Sequence, residues 1–537
     1  MNQPELPKRL PLVIMPENRD STTARDAKLV NCYVEKDTGD QYHIYKRPGL
    51  LVQSSLGAAT GLGMFNWQGV IYSIFGTTLY RNGVSVGTID GTAPYQFSAC
   101  LGSQPKLFFN NGAAAYVFYR TPGLLGVLTL TAVLPPVVIS TTGTITVNSP
   151  SITAIASTAA MTVNSSVAGT GIPLGAYITV INSATAITIS SNALSSAAGV
   201  NLTVTTFGLP TGVFAGSAYL DSTTYTIDAT ARIYGSNLND PQTWNPLNNL
   251  IAQIEPEGGV SIAKTLVYVI AFKQWSTEVF YDAANSVGSP LGTVQGSKVN
   301  YGCAAAASIQ DIDGSLMWLA TNRSSSLFVV MFENLQVSVI STKPIQRLLD
   351  GVDLTTVYSW QHKENSHSFY ILTIKNSNLT LVYDLGEKTW FQWTDSNGNY
   401  VPIVSSTLAA TSSGPRLVQH ESNGKIYTVS NTYYTDDGST ITVDIYTPGF
   451  DGGVNKRKML PRLEIICDQT SGSTLSVRSS DDDYQTWSNF RQMDLGKKRA
   501  YLNNNGSFYR RAYHLRHTAN TPMRIQAMEL SMELGTL

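Results

Sequence analysis

Apolar and polar residues alternate with a period of two along most of the chain, and tight-turn signals interrupt the alternation every few residues. The stretch "GVIYSIFGTTLYRNGVSVGTIDG" (Gly69–Gly91) reads as strand, Gly-Thr-Thr turn, strand, Asn82-Gly83 turn, strand. Asn-Gly is the pair that best tolerates the positive φ angles of a two-residue hairpin. "PKLFFNNGAAAYVFY" repeats the pattern around Asn111-Gly112. So do "TLVYVIAFKQWSTEVFYD", "GSLMWLATNRSSSLFVVMFENLQVSVIS" and "HSFYILTIKNSNLTLVYDLGEKTWFQWTD". Helical periodicity is nearly absent. The best short helix is "STKPIQRLLDG", with Ser341 or Thr342 as cap, Pro344 in the first turn and Gly351 as the stop.

Meanders of this size cannot bury both faces alone. Radial stacking hides the faces and leaves only short edges, so the pattern predicts an all-β chain built on a β-propeller of short antiparallel blades. Three hairpins end in Thr-Trp after a polar turn: "DPQTWNP" (Asp240–Pro246), "GEKTWFQW" (Gly386–Trp393) and "DDYQTWSN" (Asp482–Asn489). In each, the Thr is expected to cap the turn and the Trp to fold over the hairpin. The expected organisation has an N-terminal arm and docking segment over 1–50 and a first propeller part over 51–125. An inserted β-sandwich-like domain over 126–208, a second propeller part over 209–450 and a C-terminal β domain over 451–537 follow.

Composition sharpens the insert. Between Arg120 and Asp221 there is no Asp, Glu, Lys, Arg or His, while Val, Ile and Leu alternate with Thr, Ser and Asn. Regular alternation opposes a disordered low-complexity reading. Charged residues are only 14% of the chain and the net charge is −1, so nothing global marks a nucleic-acid binder. Residues 1–120 carry 11 basic and 8 acidic groups, 221–450 carry 12 and 20, and 451–537 carry 13 and 9. The basic "NKRKMLPR" and "GKKR" clusters near strand starts read as a solvated rim, or as an interface for an acidic surface. Cys32, Cys100, Cys303 and Cys467 form no CxxC or Cys/His cluster and read as free thiols of a protein assembled in a reducing cytoplasm. "MNQPELPKRLPLVIMPE" has prolines where a signal peptide needs an apolar core. In "GLLGVLTLTAVLPPVVIS" (Gly123–Ser140), Pro135-Pro136 would break a helix, so short strands are expected and no membrane-spanning segment.

Candidate chemistry is thin. "SSDDDYQTWSN" (Ser479–Asn489) is close to the Asp-box hairpin of sialidases and other β-propellers. A glycosidase needs two carboxylates facing one bond, and no spacing singles out a pair among Asp221, Asp228, Glu255, Glu257 and Glu278. A sialidase also needs clustered arginines, and Arg232, Arg323, Arg347 and Arg416 are scattered. Gly83-Val-Ser85-Val-Gly87 has the letters of a nucleophile elbow but lacks the following helix. Asp311, Asp313 and Gly314 suggest a turn, not a calcium loop. His362 and His367 flank a hairpin tip and are expected in a solvated turn. HExxH, GxxxxGK and GxGxxG do not occur. No catalytic, cofactor-binding or metal-binding residue is therefore assigned, and no enzyme activity is expected.

The ordered series "NCYVEKDTGDQYHIYKRPGL", "ARIYGSNLNDPQTWNPLN", "VIAFKQWSTEVFYDAANS", "NYGCAAAASIQDIDGSLMWLA", "STKPIQRLLDG" and "RRAYHLRHTANTPMRIQAMELSM" resembles the tail hub, or nozzle, proteins of short-tailed bacteriophages, the packaged-DNA stabilisation proteins. The resemblance covers most of the chain except the uncharged insert. It implies a homohexamer ring in the virion tail, assembled in the host cytoplasm below the portal and head-to-tail adaptor. Such a ring contacts tail fibres, tailspikes or a needle, and retains DNA that later passes through its lumen without sequence-specific binding. The alternatives are a virion carbohydrate-binding or fibre-like receptor-binding protein and, behind it, a propeller glycosidase.

Overall fold

Short strands joined by turns with positive φ make up the chain. The computed structural model describes residues 8–10, 12, 27–37, 42–121, 127–285, 288–324, 326–409 and 414–535. Much of the expected N-terminal docking segment, and the start of the apolar run at 122–126, lie outside the described residues. The chain is all-β as its alternation predicts, with a single α-helix, Lys343–Leu349, among the described residues. Pro344 sits in that helix's first turn, and the Gln346 side chain donates back to the Ser341 carbonyl at 2.9 Å. Two units divide it: Met1–Gly91 with Tyr301–Leu537, and Thr92–Asn300.

Among the described residues, the first unit holds four meanders of blade type. One runs through Gly61–Trp67, Val70–Phe75, Thr78–Arg81 and Val84–Thr88, and its last turn has Asn82 at φ 45 and Gly83 at φ 80, the Asn-Gly hairpin expected there. The second is built on Ser315–Thr321, Leu327–Glu333 and Gln336–Val339. The third is Val357–Glu364, His367–Ile374, Leu379–Asp384 and Thr389–Gln392. The fourth, Ile403–Leu408, Arg416–His420 and Lys425–Ser430, takes its outer strand from far upstream, Gly49–Ser55. Gly424 has φ +70, and a Cβ there would lie 1.6 Å from the Gly57 carbonyl oxygen, so this junction requires glycine.

Blades are joined by apolar cores and a few buried polar bonds. Met64 and Phe75 pack with Leu417 and Ile426. Between the same sheets the buried Gln419 side chain accepts from the Gly63 N–H at 2.9 Å and donates to the Ile74 carbonyl at 2.7 Å. The third meander does not end at Gln392. Lys28–Val30 lies parallel to it and passes the sheet on to Val443–Tyr446, Ala512–His517, Thr474–Ser480 and Arg491–Asp494. A second C-terminal sheet gathers Cys32–Lys36, Tyr42–Lys46, Arg524–Leu534, Lys458–Cys467 and Ala500–Asn503. The N-terminal strands thus serve as bridges within this unit, and one large core collects side chains from these two sheets and from the fourth meander.

Among the described residues, the second unit holds three four-stranded meanders, starting at Gln96, Ala218 and Gly259. Phe108 and Trp244 meet between the first two, and Ile227, Ile262 and Phe280 between the last two. Asn111-Gly112 makes a wider turn than a two-residue hairpin: only Gly112 has positive φ, and Asn111 Oδ1 accepts from the N–H groups of Ala113 and Ala114. Between the first two meanders sits the uncharged module, a six-stranded sheet from Val138 to Thr205. A bridge between Ser166 and Tyr177 joins its edge strands, so the sheet wraps around its own core of Ile145, Ile152, Ile178, Ile187, Leu202 and Val204.

Candidate interaction site

The strand "AYHLRH" (Ala512–His517) sends Tyr513, Leu515 and His517 to one face and His514 and Arg516 to the other, as period two requires. His514 and Arg516 then meet Asp444 and Tyr446 on the paired strand Val443–Tyr446. His514 Nε2 lies 2.6 Å from Asp444 Oδ1, and Arg516 Nε donates to the same oxygen at 2.7 Å. Burial would raise the Asp444 carboxyl, but these two donors bring it below its ordinary value. Arg478 Nε donates to His514 Nδ1 at 2.8 Å, so the imidazole carries its proton on Nε2 and stays neutral, and burial lowers its pKa.

Aromatic rings surround this polar centre. Tyr446 stacks on His514 with centroids 3.9 Å apart, and Trp487 and Phe490 meet the imidazole edge-on. Arg478 lies 4.5 Å from the Phe490 ring and 5.0 Å from Trp487, and Lys28 Nζ is 5.1 Å from the Tyr446 ring. Arg478 and Lys28 therefore sit on aromatic faces, an arrangement that favours cations. Beside the ladder is a cleft of about 630 Å³ whose walls include Lys28, Arg347, Asp350, Trp393, Asp444 and Tyr446. With cations and carboxylates both on its rim and the carboxylate of Asp444 already taken, the cleft suits a polar contact and offers no paired acid and base.

The Asp-box hairpin forms one edge of the ladder. Asp482 accepts from Ser480 Oγ at 2.8 Å, from the Thr486 N–H at 2.9 Å and from the Thr486 hydroxyl, and these bonds hold its carboxyl down at about 2. Such a group stays ionised and shapes the loop. Thr243 and Thr389 likewise close the other two Thr-Trp turns, on Asp240 Oδ2 and the Glu387 carbonyl. Trp244 and Trp390 are fully buried, while Trp487 is half-buried against the ladder.

The other residues that the sequence singles out are dispersed. Ser85 lies exposed in the strand Val84–Thr88 opposite Tyr80, with no helix after it. Gly314 N–H donates to Asp311 Oδ1, and Asp313 receives Lys363 Nζ at 2.8 Å and Ser368 Oγ at 2.6 Å, bonds that keep its carboxyl below the usual range. His362 and His367 are not solvated: both are buried, with rings nearly parallel to that of Phe369, because the side chains of this hairpin are covered by neighbouring sheets. Burial lowers the His362 pKa; burial also opposes charge on His367, but Asp384 at 2.6 Å outweighs it and raises that pKa. Arg347 lines the cleft, Arg323 lies in an exposed turn and Arg416 is half-buried in its strand.

In the second unit, Asp221 opens a turn at φ 43, Asp228 accepts from Thr230 and Tyr234, and Arg232 donates to Asn249. Glu255 pairs with Lys298, Glu257 accepts from Ser276, and Glu278 is buried against Lys273 at 2.5 Å. Among the described residues no three His, Cys, Asp or Glu side chains are grouped to hold a metal ion, and no helix is long and apolar enough to cross a membrane. Burial pushes the thiols up, Cys303 to about 12 and Cys100 and Cys467 to about 11. The ladder itself was not assigned from the sequence. Its members come from around residues 28, 444–446, 478–490 and 514–516, and only the alternation in "YHLRH" hinted at a shared face.

Residues 154–404 match the phage-stabilisation family model described as bacteriophage P22 Gp10, beta-propeller. That is the family that the ordered segments resemble. No curated protein matches the chain. Among solved structures, the computationally designed Ika8 protein is similar at 11% identity and a TM-score of 0.31, over 70% of this chain and 98% of that one. YCF48 bound to D1 peptide is similar at 9% identity and a TM-score of 0.34, over 74% and 98%. Likenesses that low add nothing to the family match.

Proposed function

From the match of residues 154–404 to the phage-stabilisation β-propeller family, we propose that this chain is a hexameric hub, or nozzle, of a phage tail. It stands below the portal and adaptor, retains packaged DNA, conducts it during ejection and docks tail fibres or spikes. The family match carries the reading. It supports a structural and stabilising role, and the ring, the channel and the docking partners are the proposal's own additions.

Two features are consistent with it. Charge is sparse, and residues 221–450 are acidic by 20 to 12, which disfavours tight phosphate contacts in a conduit where each contact would slow sliding. The candidate carboxylates and histidines are spent on structural bonds, as a scaffold requires. Native mass measurement of the assembly isolated from virions tests the ring: a species of about six times 58.1 kDa supports it, and a monomer that stays single beside its adaptor refutes it. Particles lacking the chain are expected to lose their DNA on storage while heads remain intact.

A further inference from the structure

The uncharged module has two unlike ends. At its root the strands that enter and leave are zipped together, Val138 opposite Thr205, with the Thr206 N–H donating to the Val137 carbonyl at 3.0 Å. Eight residues of Val138–Ile145, at about 3.3 Å each, carry the other end roughly 25 Å away. Three loops, 146–150, 170–175 and 190–196, meet there. The Asn148 N–H donates to the Ala193 carbonyl at 3.0 Å, Ala193 N–H to Ser149 at 2.9 Å, and Leu194 N–H to Gly171 at 2.9 Å. Gly171 has φ +82, and a Cβ there would lie 2.3 Å from Ser195 Oγ, so two of the loops touch backbone to side chain.

Each loop presents an aliphatic side chain to solvent. Leu174 is fully exposed, Leu194 is 69% exposed and Val147 is 46% exposed. We propose that this distal tip is a lipid-contact surface that inserts Val147, Leu174 and Leu194 into the interface of a phospholipid bilayer. Three observations favour lipid over a protein partner. The module has no charged side chain or histidine to dehydrate or to choose a charged partner by. Several of the tip's backbone donors are already bonded within the module: Val147 N–H to Ser196 Oγ at 2.8 Å, Ile172 N–H to the Gly169 carbonyl at 3.0 Å, and Ala176 N–H to the Pro173 carbonyl at 3.2 Å. Those groups need no further partner in the apolar layer. The three side chains also stand on a closed, cored sheet, so little order is lost on contact. This inference is independent of the hub reading.

Three aliphatic side chains give an affinity on the order of a single acyl anchor, so binding is read at millimolar lipid. The full chain is floated with vesicles of phosphatidylcholine and with vesicles of phosphatidylcholine and phosphatidylglycerol. The expected result is equal binding to both, unchanged by added salt. Leu174→Ser and Leu194→Ser, both on exposed side chains that leave the core intact, should each weaken it roughly tenfold. No flotation of the natural chain would overturn the proposal. So would binding that survives the double substitution, or binding confined to anionic vesicles and lost in salt, which would belong to the basic C-terminal strands. A double variant whose only change is its oligomeric state would make the tip a contact between copies instead.

Discussion

Single residues carry opposite risks in this chain. Lys273 and Glu278 form a fully buried pair, and Glu278 also accepts from the Ile254 N–H at 3.0 Å. Lys273→Ala is expected to cost about 3–5 kcal/mol by stranding the carboxylate. Lys273→Met with Glu278→Leu should cost less, about 2 kcal/mol, because it removes both charges and orphans only the Ile254 N–H and the backbone carbonyls that Lys273 served. Both are read by chemical denaturation. His517 is a pH liability of another kind. Burial, helped by Lys46, lowers it to about 4, against an ordinary value near 6.5. Below about pH 6.5 the unfolded chain takes a proton that the folded one refuses, so stability falls as pH drops from about 6.5 to 4, by up to about 1.4 kcal/mol per unit. His517→Gln should lessen that slope in melting curves taken across this range, leaving the share of His362 and His514, which burial lowers as well. The Thr-Trp turns and the Asn82-Gly83 hairpin were legible because their chemistry is local. The burial of His362 and His367 was not, since it depends on neighbouring sheets that cover both faces of "HSFYILTI".

At the scale of elements, sheets are sewn to one another by polar side chains that reach across the seams, Gln419 among them. Gln419 occupies the Gly63 N–H and the Ile74 carbonyl, both inside the seam. Gln419→Leu keeps the volume but orphans both groups, and about 2 kcal/mol of stability should be lost. Faster hydrogen exchange in Gly61–Trp67 than in Val357–Glu364 would locate that loss, and uniform exchange would contradict it. The quoted stretches gave two or three strands where most meanders have four, while several turn positions were readable from alternation alone. Which strand completes which sheet was not: Gly49–Ser55 pairs with Lys425–Ser430, and Lys28–Val30 with Val443–Tyr446, across separations that no local pattern reports. The cation–aromatic ladder stayed hidden for the same reason, because its parts become neighbours only through these long-range pairings.

At the scale of the whole molecule, the uncharged module is separable. Its core is its own, and its two connections run side by side, with the Leu209 N–H donating to the Leu134 carbonyl at 3.0 Å. Replacing residues 137–206 by a short Gly-Ser link should leave the remainder folded, and the excised piece should show dispersed amide resonances by itself; collapse of either would disprove it. The strand Gly49–Ser55 has a different consequence. It leaves the ribosome early, while Lys425–Ser430 is hundreds of residues from being made. At roughly 5–20 residues per second it waits about 20–75 seconds with a sticky edge bare. That sheet therefore closes only after about four fifths of the chain is made, and a nascent chain cut short before that point is left as a sheet in search of another molecule's strand.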